Sequence, residues 1–477
     1  MRILHLVAGE LGGGAAKGAL NLHKALLDYG IDSHILTTAR DTLNDSTISN
    51  INKYKAFFYA KLDSGISRIC GSERIFSNNL YGASISQNPL YQTADIIHLH
   101  WVNNGFISLR QIASIKKPIV WSVRDMWALS GGCHYAIAGD NLCFKYKHNC
   151  SHCPQLKPKI KLFSNLALVN QWLKKHLYPS NLHFVGISSF ISECLKSSII
   201  TRDFPIHTIL NCINLDEFYC VNKAIARQIL RIHTDKKILL CGANKLDDFY
   251  KGFDFYLKAL NFLPKDRYFL CFFGQIDERQ IPQGFEFKSF GYHNSTIALS
   301  LIYSLADIFI APSLLDAAPK TIMESLACGT PAVAFDNSGA KDIIEHKTSG
   351  YLAKAFEAKD LARGIEWIAN ANLSHNAKQN AYKFSAKNIA RKYIDLYAKI
   401  AESSGGDSAN IARITKDSAI LSDSAKIANG GGHNVESGVE SGIESSIKQT
   451  AKPHKLHYIS TKQSAKPKHY ASVKNAA

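Results

Sequence analysis

The sequence predicts an α/β fold of two Rossmann-like domains facing a cleft, with a disordered tail after them, and three observations carry this. Short, nearly continuous apolar runs alternate with amphipathic stretches through the first 400 residues, as parallel strands covered by helices on both faces do. The runs fall into two series with a break near 205–220. From Ser403 onward Gly, Ser, Ala and Lys dominate, and large apolar residues are too few to build a core.

The first series of strands is ILHLV (3–7), SHILTT (33–38), DIIHLH (95–100), PIVWSV (118–123) and HFVGI (183–187). The second is HTIL (207–210), KILLCGA (237–243), YFLCFFG (268–274), DIFIAPS (307–313) and PAVAFD (331–336). Between them lie stretches such as KGALNLHKALLDYG and KGFDFYLKALNFL, whose apolar residues recur at three and four, the helical period. The expected boundaries are an N-terminal domain over 1–205, a second domain over 206–375, a helix over 376–402 packing back across both, and a basic tail over 403–477. The tail carries a short repeat at 435–446, and its last thirty residues hold seven lysines and no acid. It reads as solvated chain, with docking to anionic lipid or an acidic partner as the alternative.

Met1-Arg2 runs directly into a strand-like segment, without the charged, apolar and small regions of a secretory signal. The longest apolar stretch, 297–315, is broken by Asp307 and reads as helix then strand rather than membrane span. The expectation is a cytoplasmic protein, touching the inner face of the membrane peripherally if at all. A net charge of +17 fits nucleic acid, an anionic membrane face or phosphorylated substrates. Without an RNP-like strand, zinc-finger spacing or helix-turn-helix signature, nucleic acid is not expected as a partner. Most of the eleven cysteines stand singly in apolar context, as buried reduced thiols do.

The first strand leads into Gly12-Gly13-Gly14 and then a helix, a turn where backbone approaches a ligand and a helix N-terminus favours an anion. The third glycine of a dinucleotide fingerprint is misplaced and the second strand ends in Thr37-Thr38 rather than an acid, which argues against NAD. The strand DIFIAPS ends in Leu314-Leu315-Asp316-Ala317-Ala318-Pro319, and a helix begins near Lys320. Asp316 then lies at the mouth of a cleft at the C-terminal ends of parallel strands, and Glu324 more than a turn inside the helix. Spacing alone leaves them equally readable as sugar-hydroxyl acceptors and as ordinary helix acids.

The run PSLLDAAPKTIMESLACGTPAVAF, continued by NSGAKDIIEHKTSGYLA, resembles the donor-binding signature of glycosyltransferase family 4: an acid, seven residues, Glu, then Cys/Gly-x-Pro and a strand. GANKLDDFYKGFDFYLKAL extends the resemblance, with Lys245 and Lys251 where the family places cations on the donor diphosphate and a helix opening at Lys251. In the N-terminal half, HLHWVNNGFISL, KPIVWSVRDMWALSGGCHY and the Pro154-Gln155-Leu156 ending are similar to the colanic-acid and lipopolysaccharide branch. Two departures stand out. The first acid is Asp316 where Glu is usual, and Arg124 precedes Asp125 where the family has His-Asp.

The resemblance implies a GT-B fold and a retaining, metal-independent transfer from a nucleotide diphosphate sugar to a glycan or lipid-linked acceptor, in surface polysaccharide or lipopolysaccharide synthesis. It places Asp316, Lys251 and Arg124 among the catalytic residues, with Asp316 on the donor hexose and Glu324 on the ribose. Gly13, Gly14, Asp125, Lys245, Ala318, Pro319, Lys320 and Gly339 complete the substrate contacts. The departing phosphate would assist deprotonation of the incoming hydroxyl. Arginine cannot serve as a base at neutral pH, so a catalytically impaired sugar-nucleotide-binding or scaffold protein is the alternative, and an epimerase a further one. Separately, Cys133, Cys143, Cys150 and Cys153 have the spacing Cys-x9-Cys-x6-Cys-x2-Cys, readable as a structural zinc site or as free thiols, with His134, His148 and His152 as substitute ligands. No cofactor is expected for the chemistry.

Overall fold

The structure is a computed structural model and describes residues 1–11, 13–39, 44–72, 74–139, 141–158 and 164–403. The 403–477 tail prediction therefore falls, beyond Ser403, outside the described residues, as does Gly12 of the glycine turn. The first lobe runs β1 (Arg2–Val7), α1 (Gly14–Asp28), β2 (Asp32–Thr37), β3 (Ile48–Asn50), α2 (Lys53–Ile69), α3 (Pro89–Thr93), β4 (Ile96–Leu99), α4 (Leu109–Ser114) and β5 (Ile119–Val123). A small hairpin, β6 (Ile137–Ala138) and β7 (Asn141–Leu142), precedes α5 (Leu166–Leu177), β8 (Leu182–Gly186), α6 (Ser189–Ser197) and β9 (Ile206–Thr208). The second lobe begins with α7 (Lys223–Ile229), β10 (Lys237–Lys245), α8 (Phe253–Leu260), β11 (Tyr268–Gln275), β12 (Glu286–Ser289) and α9 (Thr296–Ser304). It continues through β13 (Ile308–Ala311), α10 (Lys320–Ala327), β14 (Ala332–Phe335), β15 (Gly350–Ala353), α11 (Ala358–Ala369) and α12 (Ser374–Ala381), and α13 (Ala386–Ser403) ends the described chain.

Among the described residues, one sheet has the order β3-β2-β1-β4-β5-β8-β9 and the other β12-β11-β10-β13-β14-β15, with every neighbouring pair parallel. Central strands such as IFIA of β13 are buried at every position, which is why they read as unbroken apolar runs rather than alternating ones. Strand order reverses between β1 and β4 in the first sheet and between β10 and β13 in the second. At such switch points the connections leave on opposite faces and open a crevice beyond the strand ends.

Three local predictions are corrected. HTIL, assigned to the second series, supplies β9, which pairs with β8 at the edge of the first sheet, Val185 opposite His207. A short polar-flanked run carries no mark of which sheet it joins. The helix expected to open at Lys251 starts instead at Phe253: Phe249–Lys251 is a 3-10 turn, and Gly252 breaks the helix with φ of 67°. The single helix expected near the C-terminus is two. α12 packs on α10 in the second lobe, and α13 packs on α1 in the first.

Between those helices the chain crosses the lobes beside the earlier crossing: Ile213 N–H donates to Phe384 O at 2.9 Å and Ala386 N–H to Ile213 O at 2.9 Å. α13 is held by Ile389, Tyr393, Ile394 and Tyr397, which share a core with Ile3, Leu22, Ile96 and Val120. No helix among the described residues is long and apolar enough to cross a membrane.

Candidate active site

The second-lobe wall of the site is assembled by the β10/β13 switch point, which brings together loops 65 residues apart in sequence. Lys251 Nζ donates to Asp316 Oδ2 at 2.9 Å. Burial alone works against the Lys251 charge, but the charge and hydrogen bond of Asp316 outweigh it, with Tyr250 and Asp248 adding to them, and its pKa is raised. The turn carrying Lys251 is fixed from below, since Leu314 N–H donates to Tyr250 O at 2.8 Å. Gly252 is required there because a Cβ would lie 2.0 Å from Pro312 O.

The Asp316 loop is equally braced. Ala318 N–H donates to Asp316 Oδ1 at 3.3 Å, and Gly339 N–H to Asp316 O at 3.0 Å. A Cβ on Gly339 would lie 2.0 Å from Ala317 O, so the close approach of these loops needs glycine. Ala318 is buried in this turn, and Pro319 caps α10, with Lys320 the first helical residue.

Glu324 is buried and accepts the Tyr303 hydroxyl at 2.9 Å. Burial first, and Glu324 second, push the Tyr303 phenol well up, so it stays a donor to the carboxylate. Lys320 is half-buried; burial lowers its pKa, Glu324 raises it, and Lys17 and Arg124 of the first lobe lower it again. Lys245 behaves otherwise. It is exposed at the end of β10 and, among the described residues, pairs only with Asp247 at 3.7 Å, whereas Lys251 pairs with Asp316.

The first-lobe wall comes from the ends of β4 and β5. Arg124 Nη1 donates to Asn211 Oδ1 at 3.0 Å, and Nε and Nη2 both face His100 Nδ1 at 3.3 Å. Its guanidinium packs on α1, where a Cβ on Gly18 would lie 2.4 Å from Nη1. Burial lowers the Arg124 pKa without making arginine a base. Because Arg124 donates to His100 Nδ1, His100 presents its Nε2 proton to His5 Nδ1, 2.9 Å away.

Asp125 is a hub: it accepts Trp127 N–H at 2.8 Å, Trp101 Nε1 at 3.0 Å and His134 Nδ1 at 2.7 Å. Gly13 is the N-cap of α1 and Gly14 its first residue; both are exposed toward solvent. Tyr135 and Tyr250 stack across the two lobes, centroids 4.2 Å apart and planes 14° apart, joining the loops that carry Asp125 and Lys251. His100, Tyr135 and Tyr250 lie inside the resembling segments, yet nothing in their spacing assigns them a role; Tyr303 in α9 and Asn211 after β9 lie outside those segments.

Cys133, Cys143, Cys150 and Cys153 line one cavity of about 20 Å³ with Tyr146 and Lys145. Gly131 N–H points at the Cys150 sulfur and Gln155 N–H at that of Cys153; burial nonetheless pushes Cys150 up to about 11 and raises Cys133 and Cys153. Four thiols around one ion-sized space fit a closed zinc site in number and type. The sulfurs must rotate to reach ligand distance, because the described residues bring no trio of them within 4.8 Å of one another, as they do His5, His98 and His100. His134 is no substitute ligand: Asp125 and Ser77 take both its ring nitrogens. His148 and His152 are exposed.

Residues 222–384 match the family model for glycosyl transferases group 1. The chain is 30% identical over 200 residues to the N,N'-diacetylbacillosaminyl-diphospho-undecaprenol alpha-1,3-N-acetylgalactosaminyltransferase of Campylobacter jejuni, covering 39% of this chain and 52% of that one, so it spans about half that relative's length. It is 20% identical to the putative colanic acid biosynthesis glycosyl transferase WcaC of Escherichia coli, over 84% of this chain and 100% of that one. Among solved structures it is similar to Anabaena HepE in complex with UDP and glucose, with a TM-score of 0.56, 16% identity, and coverage of 84% and 100%.

Proposed function

We propose, for a chain whose residues 222–384 match the family model for glycosyl transferases group 1 and whose lobes have the GT-B arrangement, that the protein moves a sugar from a nucleotide diphosphate to a hydroxyl with retention of configuration. One observation carries this reading. At the β10/β13 switch point Lys251 is paired with Asp316, and Lys320, beside buried Glu324, also feels the charges of Lys17 and Arg124 from the first lobe. Four cations gathered against two carboxylates call for an anion, and a diphosphate is one that a nucleotide sugar brings.

In this reading Lys251, with Lys320 and the Lys320 amide, holds the diphosphate and stabilises it as it leaves, while the Ala318 amide braces Asp316. Lys245 reaches it as the lobes close. Asp316 is aimed by Lys251, and takes donor hexose hydroxyls. Glu324, steadied from behind by Tyr303, takes the ribose, and Gly339 leaves room beside the sugar. Gly13 and Gly14 let α1 approach the phosphates. The departing phosphate receives the acceptor proton, so neither a side-chain nucleophile nor a catalytic metal is assigned. Zinc on the four cysteines is assigned a structural role only. Likeness to a transferase acting on a diphospho-undecaprenol conjugate supports a lipid-linked glycan acceptor, in surface polysaccharide or lipopolysaccharide assembly at the inner membrane face.

The test is a thermal-shift screen against UDP-, GDP-, ADP- and CMP-sugars, followed by transfer with the stabilising donor. Arg124 favours a second reading, a binding protein without turnover. If wild type and Arg124→His both bind a nucleotide sugar and neither transfers nor hydrolyses it, that second reading replaces the first.

A further inference from the structure

α2 is built inside out. Its buried face carries Ala56, Asp63 and Ser67, and its exposed face carries Tyr54, Phe57, Phe58, Leu62 and Ile69. The polar residues are there to anchor it. Asp63 accepts the backbone N–H groups of Asn78 and Asn79 at 3.0–3.1 Å, and Ser67 Oγ donates to Phe76 O at 3.0 Å. Close packing adds to this, since a Cβ on Gly105 would lie 2.3 Å from Ala56 O. The helix is thus rigidly seated, and its outward rings are not waiting for a core position.

Tyr54 is 79%, Phe57 63% and Phe58 59% exposed. Offsets of three, four and eight from Tyr54 place Phe57, Phe58 and Leu62 on one stripe, with Ile69 two turns further along. The patch extends through Tyr59 onto Tyr81, which stack with centroids 6.2 Å apart. Lys53, Lys55, Lys61 and Arg68 are all exposed in or beside the stripe, and the one acid of the helix, Asp63, is on the other side. Lys53 and Lys61 lie over the Tyr54 and Phe57 rings at 5.8 and 5.3 Å, with their ammonium groups free to reach outward.

We infer that α2 is a docking surface for an anionic bilayer, lying in the plane of the headgroups with its rings at the acyl boundary and its four cations on lipid phosphates. An exposed aromatic stripe flanked by lysine and arginine is the pattern of an interfacial helix. Charge decides between occupants. A second copy meeting this face about a twofold axis would set the same four cations against each other, whereas an anionic leaflet neutralises them. The inference stands apart from the transfer reaction, and its readout does not depend on turnover.

The experiment is co-sedimentation of the full chain with vesicles of phosphatidylglycerol and phosphatidylcholine, and with phosphatidylcholine alone. Wild type binds the mixed vesicles, and added salt weakens the binding. Phe57→Ser with Phe58→Ser lowers partitioning by about a hundredfold, from the burial of two rings. Lys55→Glu with Lys61→Glu removes the preference for the anionic vesicles. Both variants keep the wild-type melting temperature and donor-induced thermal shift, because the face they alter is external. Binding that survives both pairs of substitutions overturns the proposal and shifts the contact elsewhere, for instance to residues beyond 403. A wild-type dimer that the Phe57/Phe58 variant converts to monomer, with vesicle binding unchanged, overturns it in favour of a self-contact.

Discussion

Lys251 is held by one carboxylate and one turn, and both requirements are strict. Asp316 fixes the ammonium at 2.9 Å and keeps it charged, while Tyr250 O anchors the turn to Leu314. An ammonium so placed stabilises leaving-group charge without reorganising, so Lys251→Ala is expected to lower kcat/KM by about 10²–10³-fold. Lys245, exposed and facing Asp247, reaches the diphosphate only on closure and has no buried carboxylate to aim it, so Lys245→Ala is expected to cost less, about tenfold, the scale of one hydrogen bond to a charged group. Steady-state kinetics with the donor found by thermal shift checks both; a larger loss at Lys245 than at Lys251 would contradict this ranking. Six residues separate the two lysines in a matching motif, and nothing in that motif distinguishes them. Burial and the distance to Asp316 do, and these depend on a loop 65 residues away.

Among the elements, the junction before α8 is the most demanding. Gly252 has φ of 67° and its Cα faces Pro312 O. Alanine there pays about 1–2 kcal/mol for the left-handed conformation alone, and the contact with Pro312 adds to it. Gly252→Ala is therefore expected to lower the melting temperature by several degrees and to weaken donor binding through Lys251, read by thermal denaturation with and without donor. Unchanged donor binding would show that the turn does not position the lysine. The helical period of KGFDFYLKALNFL is real, but it cannot mark where a left-handed glycine interrupts its start. The strands were more legible, because burial on both faces leaves an apolar run. β9 is one exception, a three-residue edge strand with exposed Thr208 and no periodicity to place it, and the short edge strands β3 and β12 are absent from the predicted series altogether.

Across the whole molecule, the first lobe carries neutral histidines under α1 and α13. His98 bonds Tyr397 Oη at 2.6 Å and Ser122 Oγ at 2.8 Å, joining the first sheet to the C-terminal helix. Burial lowers the pKa of His5, His98 and His100, and it takes His23, bonded to Ser33 and Thr47, down to about 4. A depressed histidine binds its proton more readily when unfolded, so its contribution to stability is complete above an ordinary value of about 6.5 and is lost as pH falls below it. For His23 the window runs from about 6.5 to about 4 and is worth about 3 kcal/mol. Denaturant unfolding is expected to show stability falling steeply below about pH 6.5, and His23→Gln is expected to flatten that slope by about one proton. A slope unchanged in the variant would mean that His23 is already charged in the fold.

The sequence by itself determined the two parallel sheets and the acid–lysine–glutamate register of the second lobe, because strand burial and loop chemistry are local properties written at fixed spacing. Tertiary structure alone decided that Lys251 rather than Lys245 meets Asp316, that Glu324 is backed by Tyr303, that Arg124 is tied to Asn211 and His100, and that α2 turns its rings outward. Each of those depends on contacts between elements distant in the chain, and no local pattern records the burial, charge and neighbours that such contacts impose.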